Sequence, residues 1–203
     1  MIYDVSTLSV GVGKTPAALE QIGKHTAGAR GAKLYACLYC EIGAVGDILV
    51  IRGFESADAL HAERRELALS GDAFGLGEML EARTAESYVL FPFLDDVASG
   101  KLGPFYEVRV YDTTRTGIAS TIDLWREAVP HRTKISPLAA AMYVVDAKVP
   151  RFMHIWPFPS LDARQSLRAQ ALQTGQWPPK GGLAHLRRFT SSIYLPAAFS
   201  PLC

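Results

Sequence analysis

Two strand-like segments in the second half of the chain, residues 105–111 (FYEVRVY) and 151–158 (RFMHIWPF), carry polar and aromatic side chains that could bind or transform a small molecule. Side chains alternate between the two faces of a strand, so each segment divides into two sets. The set with the richer chemistry comprises Glu107, Arg109, Tyr111, His154 and Trp156. The sequence predicts that these five residues form a ligand-binding site.

His154 is the candidate catalytic residue, because an imidazole ordinarily titrates near neutral pH and can act as an acid or a base. Arg109 could then hold an enolate, and Asp4 on the first strand is a candidate partner for its guanidinium. The alternative is a polar core whose groups satisfy one another and take no ligand. Whether the protein is an enzyme stays open at this stage.

Two other motifs resemble a phosphate-binding loop and a zinc site, but each lacks residues that such a site requires. The stretch around Lys14 (SVGVGKTP) has Leu8 where a phosphate-binding loop requires its first glycine. Cys37 and Cys40 have the spacing of a zinc pair, but the sequence offers no second pair of this kind. Their sulfur atoms would also point to opposite faces of a strand. We therefore predict no metal and no cofactor.

The elements that position these residues occur twice. A shift of 104 residues aligns 34–92 with 138–196 at 15 of 59 positions, where chance would give about 4. One residue is gained near Arg30. The sequence thus predicts two similar units, 1–98 and 104–203, joined by the Gly- and Asp-containing linker DDVASGKLGP.

Local signals give each unit the element order β-α-β-β-α-β. Thr15, followed by a proline, predicts the start of one helix, and Ser56 and Ser160 are N-cap residues of two others. An apolar stripe with helical spacing predicts a further helix that ends at Pro130. The stretch around Trp177 (GQWPPKGG) is predicted to be a packed loop, and a lid over the mouth of the barrel is the alternative.

The fold class predicted from this order is α+β, with two tandem ferredoxin-like repeats. The strands are apolar on both sides, so the sheet face away from the helices must also be buried. Packing the two sheets together gives an eight-stranded antiparallel barrel. Tyr106, Val108 and Val110 are expected to contact the helices, which would turn Arg109 and His154 into the barrel.

Several stretches resemble the NIPSNAP family, a branch of the dimeric α/β-barrel superfamily. In the second unit these are 106–111 (YEVRVY), 154–164 (HIWPFPSLDAR) and 194–202 (YLPAAFSPL). In the first unit they are 33–43 (KLYACLYCEIG) and 90–93 (LFPF). The first unit departs from the second at Ser6, Val50 and Arg52, so the shared pocket chemistry is expected only in the second.

The resemblance implies a fold more than an activity, because the biochemical role of the family is undefined. It is compatible with a small organic ligand bound in the barrel of the second repeat. Relatives in the wider superfamily imply a cofactor-independent monooxygenase or isomerase as one alternative. An interaction scaffold without a ligand is another.

Composition excludes several classes of partner. The chain of 203 residues carries 21 basic and 20 acidic residues, a net charge of +1, which gives no reason to expect nucleic acid. The sequence has no apolar run long enough to span a membrane. Three cysteines are too few for a disulfide framework, so the cytoplasm is the expected compartment. The two sheets could pair within a chain or between copies, so a homo-oligomer is a candidate state.

Overall fold

The computed structural model describes residues 1–28 and 31–203, and it has the predicted α+β architecture. The strands are β1 Ile2–Val10, β2 Ala32–Ile42, β3 Asp47–Phe54, β4 Leu80–Leu90, β5 Phe105–Thr113, β6 Ala140–Val144, β7 Arg151–Phe158 and β8 Leu186–Pro196. The helices are α1 Thr15–Gly28, α2 Ala57–Ser70, α3 Gly117–Arg132 and α4 Leu161–Gln173. The insertion predicted near Arg30 lies outside the described residues.

The eight strands form one closed antiparallel barrel, as the sequence predicts. Their order around the barrel is β1-β3-β2-β8-β5-β7-β6-β4. The first repeat contributes β1 to β4 and the second contributes β5 to β8, and each repeat's second strand pairs with the other's fourth. The two seams therefore join the repeats within a single chain.

Apolar residues from all eight strands fill the barrel interior. The cluster includes Val5, Leu49, Val108, Met153 and Ile155, and it contains no residue from the four helices. Cores under the helices are separate: one packs α1 and α2 on the first repeat's sheet, and another packs α3 on the second repeat's sheet. The molecule thus has three layers of apolar packing, and the strands are buried on both faces except in the largely exposed first halves of β4 and β8.

The predicted orientation of the polar set was wrong. Tyr106 and Val108 lie in the barrel interior, whereas Trp156 packs with Trp125 of α3 in the core under the helices. Glu107 is bound by arginines of α4, so it also faces the helices. Alternation along a strand separates the two sets but does not say which set faces the helices when both faces are buried.

Helix ends follow the sequence signals with one exception. Ser56 and Ser160 each cap a helix by accepting a backbone N–H through the hydroxyl oxygen, at 3.2 and 3.0 Å. The third helix was predicted to end at Pro130, but it continues to Arg132. A proline inside a helix removes one i→i−4 hydrogen bond, but the helix continues past Pro130, and the N–H of Thr133 donates to the carbonyl oxygen of Val129 at 2.8 Å. The two added residues keep Arg132 beside the second repeat's sheet. No helix within 1–28 or 31–203 is long and apolar enough to cross a membrane.

Candidate functional site

A cavity of about 210 Å³ lies between the sheet of the second repeat and the helices that cover it. Strands β5 and β7 form its floor, α3 and α4 form its sides, and the loop after α4 closes one end. Four of the five predicted site residues line it: Arg109, Tyr111, His154 and Trp156. Four predicted residues therefore meet at one cavity, on the opposite face of the sheet from the one expected.

Six phenylalanine, tyrosine and tryptophan side chains line the cavity. The chain has three tryptophans, and Trp125, Trp156 and Trp177 all line the cavity. The ring centre of Trp177 lies 4.9 Å from that of Trp125 and 5.6 Å from that of Trp156. Phe152 and Tyr111 continue this surface along the floor. Such a wall favours a flat, largely apolar guest.

His154 presents a hydrogen-bond donor that has no acceptor. Its side chain is 2% exposed, and its Nδ1 accepts a hydrogen bond of 2.7 Å from Trp156 Nε1. An indole N–H can only donate, so in the neutral ring the hydrogen sits on Nε2. Within the described part of the chain, Nε2 has no hydrogen-bond partner. Burial, and next the charge of Arg109, lower the pKa of His154 well below its usual value, so the ring stays neutral.

Glu107 anchors a cluster of cations beneath the cavity and does not line the cavity itself. Its carboxylate binds Arg109 Nη1 and Arg164 Nη2 at 2.6 Å each, Arg168 Nη1 at 3.3 Å and Ser191 Oγ at 2.7 Å. Burial alone would raise the pKa of Glu107. The hydrogen bonds from Arg164 and Ser191 and the neighbouring charges outweigh that effect and lower the pKa to about 2.

The predicted pairing of Asp4 with Arg109 was wrong. Asp4 lies under α2 in the first repeat, where it binds Arg52 Nη2 at 3.1 Å and Arg64 Nε at 2.8 Å. The two acids occupy corresponding places, since Asp4 stands opposite Arg52 in the sheet as Glu107 stands opposite Trp156. Each repeat therefore neutralises its own acid.

Sequence reasoning missed the cavity residues contributed by helices. Arg132 lines the cavity, is 3% exposed and lies 4.5 Å from the ring centre of Trp156. It follows Trp125 by seven residues, two helical turns, and so lies on the same face of α3. That spacing could have revealed it if the helix had been extended beyond Pro130. Arg168 lies on α4 at the position that corresponds to Arg64, so the repeat itself marks this residue.

The corresponding space in the first repeat is filled. Arg52 stands where the second repeat has Trp156, and its guanidinium lies 4.7 Å from the ring centre of Phe74. Phe74 is completely buried, and His25 packs 5.1 Å from its ring centre. These side chains occupy the region between sheet and helices that stays open in the second repeat.

A second cavity, of about 300 Å³, lies inside the barrel but contains none of the predicted site residues. Its charged groups pair with one another: Arg151 with Glu86, and Arg188 Nη2 with Asp112 at 3.1 Å. Among the described residues, no group of three or more His, Cys, Asp or Glu is placed to hold a metal ion.

Comparison with known structures finds the same fold in proteins of low sequence identity. The chain is similar to the crystal structure of an anthrone oxidase-like protein at 11% sequence identity, with 97% of this chain and 91% of that chain covered and a TM-score of 0.71. At this identity the likeness shows the fold alone.

The profile of the NIPSNAP family matches residues 106–201, which is nearly the whole of the second repeat. A NIPSNAP family protein with unknown function from Agrobacterium tumefaciens is 25% identical and covers 52% of this chain and 98% of its own, with a TM-score of 0.45. An uncharacterized NIPSNAP-like domain protein from Burkholderia xenovorans is 26% identical and covers 49% and 90%, with a TM-score of 0.46. No curated protein matches the chain.

Proposed function

We propose that the second repeat binds a small, flat organic molecule in the cavity between its sheet and α3 and α4. The observation that carries this proposal is the unpaired Nε2–H of His154. Burying a hydrogen-bond donor without an acceptor costs about 1–3 kcal/mol of folding free energy. A ligand oxygen at this position would remove that penalty.

The wall around the donor suits such a ligand. Trp125 and Tyr111 contact the His154 ring at centroid distances of 4.8 and 4.9 Å, so the imidazole is held in one orientation. The Trp156 N–H fixes the tautomer. A rigid donor beside aromatic faces would select both the plane of the guest and the position of its oxygen.

The same geometry favours binding over general-base catalysis by His154. A base needs a free lone pair, but Trp156 already occupies Nδ1, and Nε2 carries the hydrogen. The role that the hydrogen-bond pattern supports is donation to a ligand oxygen. The open, aromatic cavity also favours a ligand-binding protein over a scaffold without a ligand.

Tryptophan fluorescence offers a direct test, because all three tryptophans line the cavity. We expect flat aromatic ketones, phenols or carboxylates to change the emission of the purified protein saturably. The variant His154→Phe keeps a flat ring but removes the donor, and should weaken binding by about three- to tenfold. His131→Phe, at an exposed histidine on α3, is the control and should bind as the wild type does. Absence of any saturable change in the wild type would contradict the proposal.

A further inference from the structure

We infer that the ligand of this cavity is a carboxylate carried on an aromatic or similarly flat apolar skeleton, and that Arg132 binds the carboxylate. This inference rests on the proposed ligand-binding function and specifies its ligand class. It follows from an imbalance of charge in the cavity wall, from the geometry of Arg132 and from the apolar mouth of the cavity.

Arg132 is a buried cation for which the described part of the chain provides no counter-ion. Its hydrogen bond is from Nη1 to the hydroxyl oxygen of Ser136 at 2.6 Å, and no carboxylate of the described residues lies within ion-pair distance. Arg52, which is buried to a similar degree, binds both Asp4 and Glu63. A buried charge is ordinarily paired, so an unpaired one at a cavity wall points to an anion from outside the chain.

The other cations of the cavity do not remove this imbalance. Arg109 and Arg168 also line the cavity, and both pair with Glu107. One carboxylate therefore serves several guanidinium groups, Arg164 included. Burial, followed by the charge of Arg168, lowers the pKa of Arg132 to about 10. Arg132 is still protonated at neutral pH, and the cavity carries an excess of positive charge.

The orientation of the guanidinium suits a carboxylate. Its central carbon lies 4.5 Å from the ring centre of Trp156 and 6.0 Å from that of Trp177, so two aromatic rings hold it in place. A planar guanidinium offers two parallel N–H groups that match the two oxygens of a carboxylate. The tryptophan faces beside it would contact the flat skeleton that carries the carboxylate.

Exposed apolar side chains at the mouth favour a ligand with an apolar body. Leu172, Leu183 and Phe189 all line the cavity and are largely exposed. A highly charged guest such as inorganic phosphate would gain nothing from these contacts. The arrangement therefore fits an amphipathic anion, with its charge at Arg132 and its apolar part toward the mouth.

The test compares acids with their neutral amides in the wild-type protein. 2-Naphthoate and 2-naphthamide have nearly the same shape, and both can be titrated by tryptophan fluorescence. A charge-assisted hydrogen bond should make the carboxylate bind about tenfold more tightly or better. Benzoate and benzamide form a second matched pair, and inorganic phosphate serves as a competitor.

Variants on α3 assign the effect to one residue. Arg132→Met keeps an apolar stem and should weaken naphthoate binding by about tenfold or more while leaving naphthamide binding within about twofold. Arg126→Met removes an exposed arginine from the same helix and should change neither. Arg132→Met should melt at the same or a higher temperature without ligand, because it removes an uncompensated buried charge.

The outcomes separate the two claims. Equal binding of acid and amide, or naphthoate binding that survives in Arg132→Met, would overturn the carboxylate assignment and leave the proposed ligand-binding function standing. Displacement of naphthoate by phosphate at equal concentration would likewise overturn the carboxylate assignment. If none of the acids or amides binds, the proposed function itself fails. Even if Arg132→Met does not fold, the comparison of acid and amide binding to the wild-type protein tests the carboxylate assignment.

Discussion

The two repeats have the same topology, and each has a buried acid at the same position, Asp4 or Glu107. They differ in the space between the sheet and the helices. In the first repeat, Arg52 and Phe74 fill that space. In the second, tryptophans line a cavity beside His154 Nε2 and Arg132, and the described residues provide no hydrogen-bond acceptor for the former and no carboxylate for the latter. The closed and the open repeat thus differ at one strand position, occupied by Arg52 or Trp156, and in the loop after the second helix.

The ion cluster is common to both repeats. Asp4 and Glu107 each bind an arginine of the second helix, Arg64 and Arg168 respectively. A serine of the fourth strand completes each cluster, Ser87 on Arg64 and Ser191 on Glu107. Because the cluster occurs in the closed repeat as well, its main task is structural. We infer that the chemistry specific to the second repeat resides in His154 and Arg132.

Neutralising the buried acids Asp4 and Glu107 should lower the stability of the protein by unequal amounts, and the change in the first repeat should have the larger effect. Asp4→Asn removes one of the carboxylates that neutralise Arg52, a side chain that is 1% exposed. The change should lower the free energy of unfolding by about 3–5 kcal/mol. Glu107→Gln should cost about 2 kcal/mol, because Arg164 and Arg168 are 28% and 36% exposed and water can solvate them. Urea denaturation measures both values.

Asp123→Asn is the matched control for this pair. Its carboxylate forms an exposed ion pair on α3, so the change should stay within about 0.5 kcal/mol. A cost for Glu107→Gln that equals or exceeds the cost for Asp4→Asn would contradict the distinction between a closed and an open repeat.

Truncation of the aromatic residues in the two loops should separate stability from binding. Phe74→Ala removes a completely buried ring in the first repeat and should destabilise the protein by about 3 kcal/mol while naphthoate binding stays within about twofold. Trp177→Ala removes a half-buried ring from the open repeat and should cost about half as much, but weaken binding several-fold. Thermal melts and fluorescence titrations of both variants test this. Naphthoate binding that depends on Phe74 would place the ligand in the wrong repeat.

Acid should destabilise the protein partly through Glu107. Its pKa lies below the ordinary value of 4.5, at about 2 in the folded protein. The stability that this group contributes is therefore complete well above pH 4.5 and is lost as the pH falls toward 2. Between pH 5 and 3.5 the wild type should lose about 1 kcal/mol that Glu107→Gln does not lose. Parallel stability curves for the two proteins in this range would contradict the assignment.

Much of the fold could be predicted from the repeat. Self-similarity, the serine caps and the apolar strands predicted two βαββαβ units and a closed eight-stranded barrel, and both are present. The sequence did not predict which face of the sheet packs against the helices. Val108 and Ile155 on one face are as apolar as Phe152 and Trp156 on the other. The pattern of apolar residues along the strands therefore does not indicate which face contacts the helices.

The candidate site could be predicted only in part. Arg109, Tyr111, His154 and Trp156 were identified from strand alternation, because they lie on adjacent strands with a simple period. Arg132 was missed because a proline was taken as the end of its helix. The protonation pattern of His154 depends on its contact with Trp156, two residues further along the strand. Alternation put these two rings on one face but did not predict a hydrogen bond between them.

A crystal structure of the protein soaked with 2-naphthoate tests the location of the site most directly. We expect the ligand under α3 and α4, with its carboxylate on Arg132, one oxygen of that carboxylate also within hydrogen-bond distance of His154 Nε2, and its rings against the tryptophans. The space around Arg52 and Phe74 should contain no ligand. Naphthoate bound inside the barrel or under α1 and α2, or an empty second-repeat cavity at saturating concentration, would contradict this location.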